Sequence, residues 1–197
     1  MKRFDDEKII QGVKYILEGL GENYSREGLQ DTPKRVLNYY KEILEGQCYS
    51  NDDIAFMFNK QFSRDDINDD NSSELVLIGD IGFFSMCEHH LALIYDGIVK
   101  VAYIPKDRVI GLSKVNRIVK MVSKRLTLQE RLTNDIFYIM KKVLETEDIA
   151  IFVKAKHGCI TSRGIKDQNS YTITNKLGGN FKNDKDLRNE FLSLIKV

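Results

Sequence analysis

Imidazoles and thiols are scarce in this chain, which carries three histidines and three cysteines among 197 residues. An odd cysteine count argues against a disulfide framework, as does an N-terminus, MKRFDDEKII, that places acidic residues where an export signal needs apolar ones. Neither sign of charge is in excess. With 30 basic residues against 29 acidic and a formal net charge of +1, nothing global draws the chain to nucleic acid or to an anionic membrane, so anion binding must be local. No apolar run approaches a membrane span. These gaps describe a cytoplasmic protein whose length suffices for one domain with a substantial core but not for two large ones.

What histidine and cysteine there is lies in two clusters. SMCEHH, residues 85–90, holds Cys87, His89 and His90, and KHGCI, residues 156–160, holds His157 and Cys159, while Cys48 stands apart.

Around them the periodicity predicts a mixed α+β chain. Ile9, Ile10, Val13, Ile16, Leu17 and Leu20 recur at helical spacing up to Gly21, and DTPKRVLNYYKEILEG gives a second helix with Pro33 in its first turn. These form an N-terminal helical region over residues 1–62, and the polar, acidic run 63–73 reads as a solvated loop. From 74 to 197 the order is strand, strand, helix, helix, strand, strand. ELVLIGDI is the first strand, and HHLALIYDGIVKVAYIP is expected to form a tight hairpin at Asp96-Gly97. Ser113 and Thr127 are placed to cap the two helices. DIAIFVKAKHGCIT and SYTITNKL are the later strands, and NDKDLRNEFLSLIKV closes as a short helix. This order favours an antiparallel sheet with helices on one face and open edges suited to assembly with further copies.

Strand alternation along DIAIFVKAKHGCIT puts His157 and Cys159 at the end of the buried face. A rigid, desolvated sheet edge bearing an imidazole and a thiol suits a catalytic zinc, which takes three such ligands and lowers the pKa of water in an open fourth position to roughly 7. Cys87 with His89 or His90 would complete the set: strand alternation pairs Cys87 with His89, whereas a turn pairs it with His90. The plainer reading is core cysteines with structural histidines, and a closed structural site of Cys87, His90, His157 and Cys159 is a sharper alternative to catalysis. Ser113, Lys114 and Arg117 in GLSKVNR suit phosphate at a helix N-terminus, or simply form a capped helix with a solvated basic face. Thr127-Leu128-Gln129-Glu130 has the pattern of a capping box.

SMCEHHL, VAYIPKDRVIGLSKVNRIV, QERLT and HGCITSRGIKD, in that order and preceded by DTPKRV, resemble the GTP cyclohydrolase I family, and the collinear resemblance runs from residue 31 to the C-terminus. It implies the tunnelling fold, with a ββααββ order, and a homodecamer of two pentameric rings in which neighbouring subunits complete each site. It implies one zinc per chain on Cys87, His90 and Cys159, with His89 and His157 as acid/base groups and Ser113 beside them in the catalytic set. Gln129, Glu130, Lys114, Arg117, Arg163 and Arg35 become substrate-binding residues: Glu130 reads the N1–H and exocyclic amine of guanine, and the basic residues hold the triphosphate. The implied reaction is hydrolysis of GTP at C8 to formate and 7,8-dihydroneopterin triphosphate, the first step toward folates and pterins. Asn38 departs from the basic residue that many members carry three positions after Arg35, and ALIYDG departs from the commoner wording after the metal motif.

Overall fold

The computed structural model describes residues 3–63, 75–106 and 108–196. Two helices open the chain. α1 (Asp6–Gly19) begins behind Asp5, whose carboxylate accepts the Lys8 N–H, and it is ended by Gly21 at φ +81°. α2 (Thr32–Ile43) has Pro33 in its first turn, where a missing N–H costs nothing, and Lys41 bridges to Asp6 of α1 at 2.6 Å. A 3₁₀ turn (Glu45–Cys48) leads into α3 (Asn51–Phe58), whose start is closed by a reciprocal capping box between Ser50 and Asp53. α3 buries Ile54 and Ala55 in the main core. The expected polar loop 63–73 lies, apart from Ser63, outside the described residues.

The chain then runs through β1 (Gln61–Ser63), β2 (Val76–Cys87), β3 (Leu93–Tyr103), β4 (Arg108–Ile110), α4 (Leu112–Ser123), β5 (Leu126–Thr127), α5 (Gln129–Leu144), β6 (Ile149–His157), α6 (Gly158–Thr161), β7 (Thr172–Leu177), α7 (Gly179–Asn183) and α8 (Lys185–Leu194). Five strands form one sheet in the order β5-β2-β3-β6-β7, and β1 pairs separately with β4. The main sheet is not purely antiparallel, because β5 lies parallel to β2, Cys87 facing Thr127.

Alternation along the strands divides the apolar residues between two faces. Val101 and Tyr103 of β3 and Ile149, Ile151 and Val153 of β6 join α3, α4 and α5 in the larger core. Ala102 and Ala150 point the other way, onto Phe181 of α7 and Phe191 of α8, whose rings meet edge to face at 5.7 Å. Helices therefore cover parts of both faces, and the expectation of one covered face is corrected: the closing helix, with α7, packs behind the sheet.

Asp96-Gly97 is not a hairpin turn. β3 passes straight through it, with a register shift between Tyr95 and Ile98 against β6 and Asp96 at φ +49°, which is the signature of a β-bulge. A β-carbon on Gly97 would lie 2.5 Å from the Phe83 ring, so that ring packs where no other side chain fits. The real turn joins β2 to β3 through residues 88–92. The caps differ too. Gly111 and Leu128 occupy the N-cap positions of α4 and α5, with no side-chain cap at either. Thr127 belongs to β5 and its hydroxyl donates to the Leu128 carbonyl.

Candidate active site

β2 ends at Cys87, 3% exposed. Its N–H donates to the Ala92 carbonyl at 2.8 Å, which closes the turn, so His89 and His90 leave strand geometry and lie exposed with their rings edge to face at 6.4 Å. Two contacts moor this turn, one to β5 and one to α5. The Glu88 N–H donates to the Thr127 carbonyl at 3.2 Å, and the Glu88 carboxylate receives Arg131 through both guanidinium nitrogens, at 2.6 and 3.3 Å.

Alongside, β6 ends at His157, and Cys159 sits on the short helix α6, not on the strand as alternation predicts. α6 is pressed against the start of β3, since a β-carbon on Gly158 would lie 3.1 Å from the Leu93 carbonyl oxygen. Its far end is held by Tyr95, whose hydroxyl donates to Thr161 Oγ1 at 2.9 Å. The Cys159 thiol thereby reaches Cys87. Burial pushes the pKa of Cys159 up, the neighbouring Cys87 adds to that through charge and hydrogen bonding, and Arg163 opposes.

His157 is half-buried. Its Nε2 lies 2.8 Å from Gln129 Oε1, and burial lowers its pKa while Glu130, in the first turn of α5, works against that. Gln129 is 1% exposed and its amide nitrogen also lies within hydrogen-bond reach of β6 and β7. The Glu130 carboxylate is exposed, and α5 carries no capping-box bond that would occupy it. Three separated segments, the end of β2, the start of α5 and the β6–α6 junction, thus meet at one end of the sheet, bringing together two thiols, an imidazole and a carboxylate.

The remaining expected residues are elsewhere in the chain. Residue 126 pairs beside Met86, so the C-terminal end of α4 lies at the thiol end, while Ser113 and Lys114 occupy its opposite end. At roughly 1.5 Å of rise per residue, Ser113 lies about 15 Å along the helix from Ser123 at its other end. Arg117 is exposed midway. Arg35, on α2, pairs with Asp31 at 3.4 Å.

A profile of the GTP cyclohydrolase I family matches residues 9–196. The chain belongs to the GTP cyclohydrolase I family. It is 50% identical over 193 residues, 98% of each chain, to the GTP cyclohydrolase 1 of Clostridium acetobutylicum. It is 48% identical over 192 residues, again 98% of each chain, to that of Ruminiclostridium cellulolyticum. For the Clostridium botulinum (strain Langeland) protein the figure is 48% over 190 residues, 96% of this chain and 97% of the relative.

The family's zinc finds a partly assembled donor set. Two thiols in contact, both free of disulfides, are the kind of pair that a soft divalent cation stabilises as thiolates. His90 does not stand with them: its Nε2 lies 3.0 Å from Arg163 Nη1, and among the described residues no three His, Cys, Asp or Glu side chains gather closely enough to hold a metal ion. The two thiols are donors of the kind zinc takes, and His90 is held beside Arg163 instead of next to them. Sequence reasoning missed the supports of this site, Glu88 with Arg131 and Tyr95 with Thr161. These pairs are 43 and 66 residues apart, and no local pattern announces them.

Proposed function

We propose that this chain is a zinc-dependent GTP cyclohydrolase with the tunnelling fold, hydrolysing GTP to formate and 7,8-dihydroneopterin triphosphate. What supports the reading is the convergence of Cys87, Cys159, His157 and Glu130 from three segments at one end of the sheet, in a chain whose relatives are named GTP cyclohydrolase 1. Zinc, when bound by Cys87, His90 and Cys159, supplies Lewis acidity that makes water nucleophilic near neutral pH.

The chain's own groups do the rest. Glu130, exposed and free of a capping role, accepts the N1–H and the exocyclic amine of guanine, a donor pair that adenine lacks. Water adds at C8, the imidazole ring opens, formate leaves and the ribose rearranges and recloses. Each of these stages moves protons, and His157 and His89 take that role because imidazole exchanges protons near neutral pH, with the Ser113 hydroxyl assigned to the same catalytic set. Lys114, Arg117, Arg163 and Arg35 bind the triphosphate, the arginines through planar forks matched to phosphate oxygens. Ser113 and Lys114 lie up to about 15 Å along α4 from its thiol-side end, a distance that the pocket of one copy would have to span. A homodecamer in which neighbouring copies complete each pocket resolves this.

The cytoplasm is the proposed location, and no described helix is long and apolar enough to cross a membrane. The test is to supply GTP to zinc-loaded protein and measure formate together with a pterin made fluorescent by oxidation. Release of neither rejects the reading.

A further inference from the structure

The Gln129 side chain is buried at the junction of α5 with the sheet, and the atoms around it decide which way its amide faces. One end has three neighbours: the Val153 carbonyl at 3.2 Å, the Thr172 carbonyl at 3.0 Å and Thr174 Oγ1 at 3.2 Å. Two of these are backbone carbonyls, which only accept hydrogen bonds, so the end that meets them must be the NH₂ group. The other end, Oε1, is then turned toward His157 Nε2 at 2.8 Å. An amide oxygen only accepts, so a hydrogen must sit on that ring nitrogen.

The arrangement is reinforced from behind. Thr133 Oγ1 donates to the Gln129 carbonyl at 2.8 Å and lies 2.6 Å from Thr174 Oγ1. With its own hydrogen committed to that carbonyl, Thr133 receives the Thr174 hydroxyl hydrogen, and Thr174 keeps its lone pairs for the Gln129 amide. Because two of the keying acceptors belong to the β6 and β7 backbone, the orientation is set by the sheet itself.

We infer that Gln129 is a positioning residue whose backbone-keyed carboxamide fixes His157 as the Nε2–H tautomer, leaving Nδ1 as the atom of the neutral ring that accepts a proton. Gln129 then acts through the imidazole, its carboxamide already occupied, instead of through a bond of its own to substrate. The catalytic part of this statement rests on the proposed GTP cyclohydrolase reaction, whereas the tautomer does not.

The experiment uses the assembled, zinc-loaded protein with ¹⁵N-labelled histidine, read by magic-angle-spinning NMR. Only three rings contribute, and His157 is assigned by its loss in His157→Asn. The neutral His157 ring should carry its hydrogen on Nε2, and Nδ1–H with a bare Nε2 overturns the inference. Gln129→Met, of similar length but with no donor or acceptor in reach, should release the ring to a mixture of tautomers. It should lower kcat at least about tenfold, within the range of a misdirected proton transfer, with KM for GTP held within about twofold. A raised KM at unchanged kcat marks a direct substrate contact and overturns the inference, as does a variant with both constants and the tautomer unchanged. Wild-type protein that releases no formate from GTP refutes the reaction instead, and the ring spectrum still decides the tautomer.

Discussion

Replacing Arg125 with Met removes a guanidinium that ties the segment before α3 to the start of β5. Nε donates to the Gly46 carbonyl at 3.1 Å, Nη2 to the Tyr49 carbonyl at 2.9 Å, and Nη1 to Asn51 Oδ1 at 2.6 Å and Asp135 Oδ2 at 3.0 Å. The Arg125 side chain is 12% exposed and that of Asp135 21%. Burial draws the guanidinium's pKa down and Asp135 opposes this, but arginine stays charged. Methionine keeps much of the aliphatic stem, so the loss is mainly of charge and donors. Asp135 retains Asn51 Nδ2 at 2.9 Å and no longer has its cation. Breaking a buried pair by removing one member costs about 3–5 kcal/mol, and an exposed pair is worth about 1 or less. A carboxylate one-fifth exposed recovers part of its hydration, which places Arg125→Met at about 2–4 kcal/mol. Urea unfolding at fixed protein and zinc concentration, followed by circular dichroism, should show the midpoint fall accordingly. Arg125→Met with Asp135→Asn removes the orphaned charge and should be more stable than the single variant. A single variant within about 0.5 kcal/mol of wild type, or a double variant no better than the single, refutes the reasoning.

Cys159→Ala and Cys87→Ala should each lose both bound zinc and activity while keeping the fold, with metal analysis as the check; full occupancy in either rejects the ligand assignment. Glu130→Gln should raise KM for GTP with little change in stability, because no cap depends on this carboxylate and even a lost cap costs only about 1 kcal/mol. Destabilisation with unchanged kinetics contradicts the reader role. If neighbouring copies share each pocket, Arg35→Ala and His157→Ala chains unfolded and refolded together should recover intact sites at roughly a quarter of positions. No gain over separately refolded chains, with mixing confirmed by mass spectrometry, excludes donation of Arg35.

The long helices were legible because their apolar stripes are long. Val115, Ile118, Val119 and Val122 of α4, and Leu132, Ile136, Ile139 and Val143 of α5, recur at helical spacing and are all buried. α3 was too short to register as a period. Ser113 and Thr127 misled as caps because hydroxyl preference is local, whereas a parallel pair formed by β5 claimed Thr127 for the sheet. The two motif clusters were visible as residue types, but the turn that takes His89 and His90 out of strand geometry depends on the Cys87–Ala92 bond. The positions of Ser113 and Arg35 relative to the thiols required the topology as well. The carbonyls of β6 and β7 that meet the Gln129 amide were not legible, because nothing near Gln129 in sequence announces them.

The bulge at Asp96-Gly97 gives β3 two phases. Ile94 on one side and Val99 and Val101 on the other all face the same core, although uninterrupted alternation would put Ile94 on the opposite side from Val99. The extra residue lets the site end of the strand, which carries Ile94 opposite His157, and the far end, which carries the Ala102 that meets Phe181 and Phe191, keep separate alternations within one strand. At Gly97 β3 is therefore more exposed to substitution than to deletion, since an added β-carbon would meet the Phe83 ring. Removing one residue of the pair would leave Ile94 four positions from Val99, the spacing at which plain alternation already turns both toward the core, so both halves would keep their partners and only the local bend would be lost.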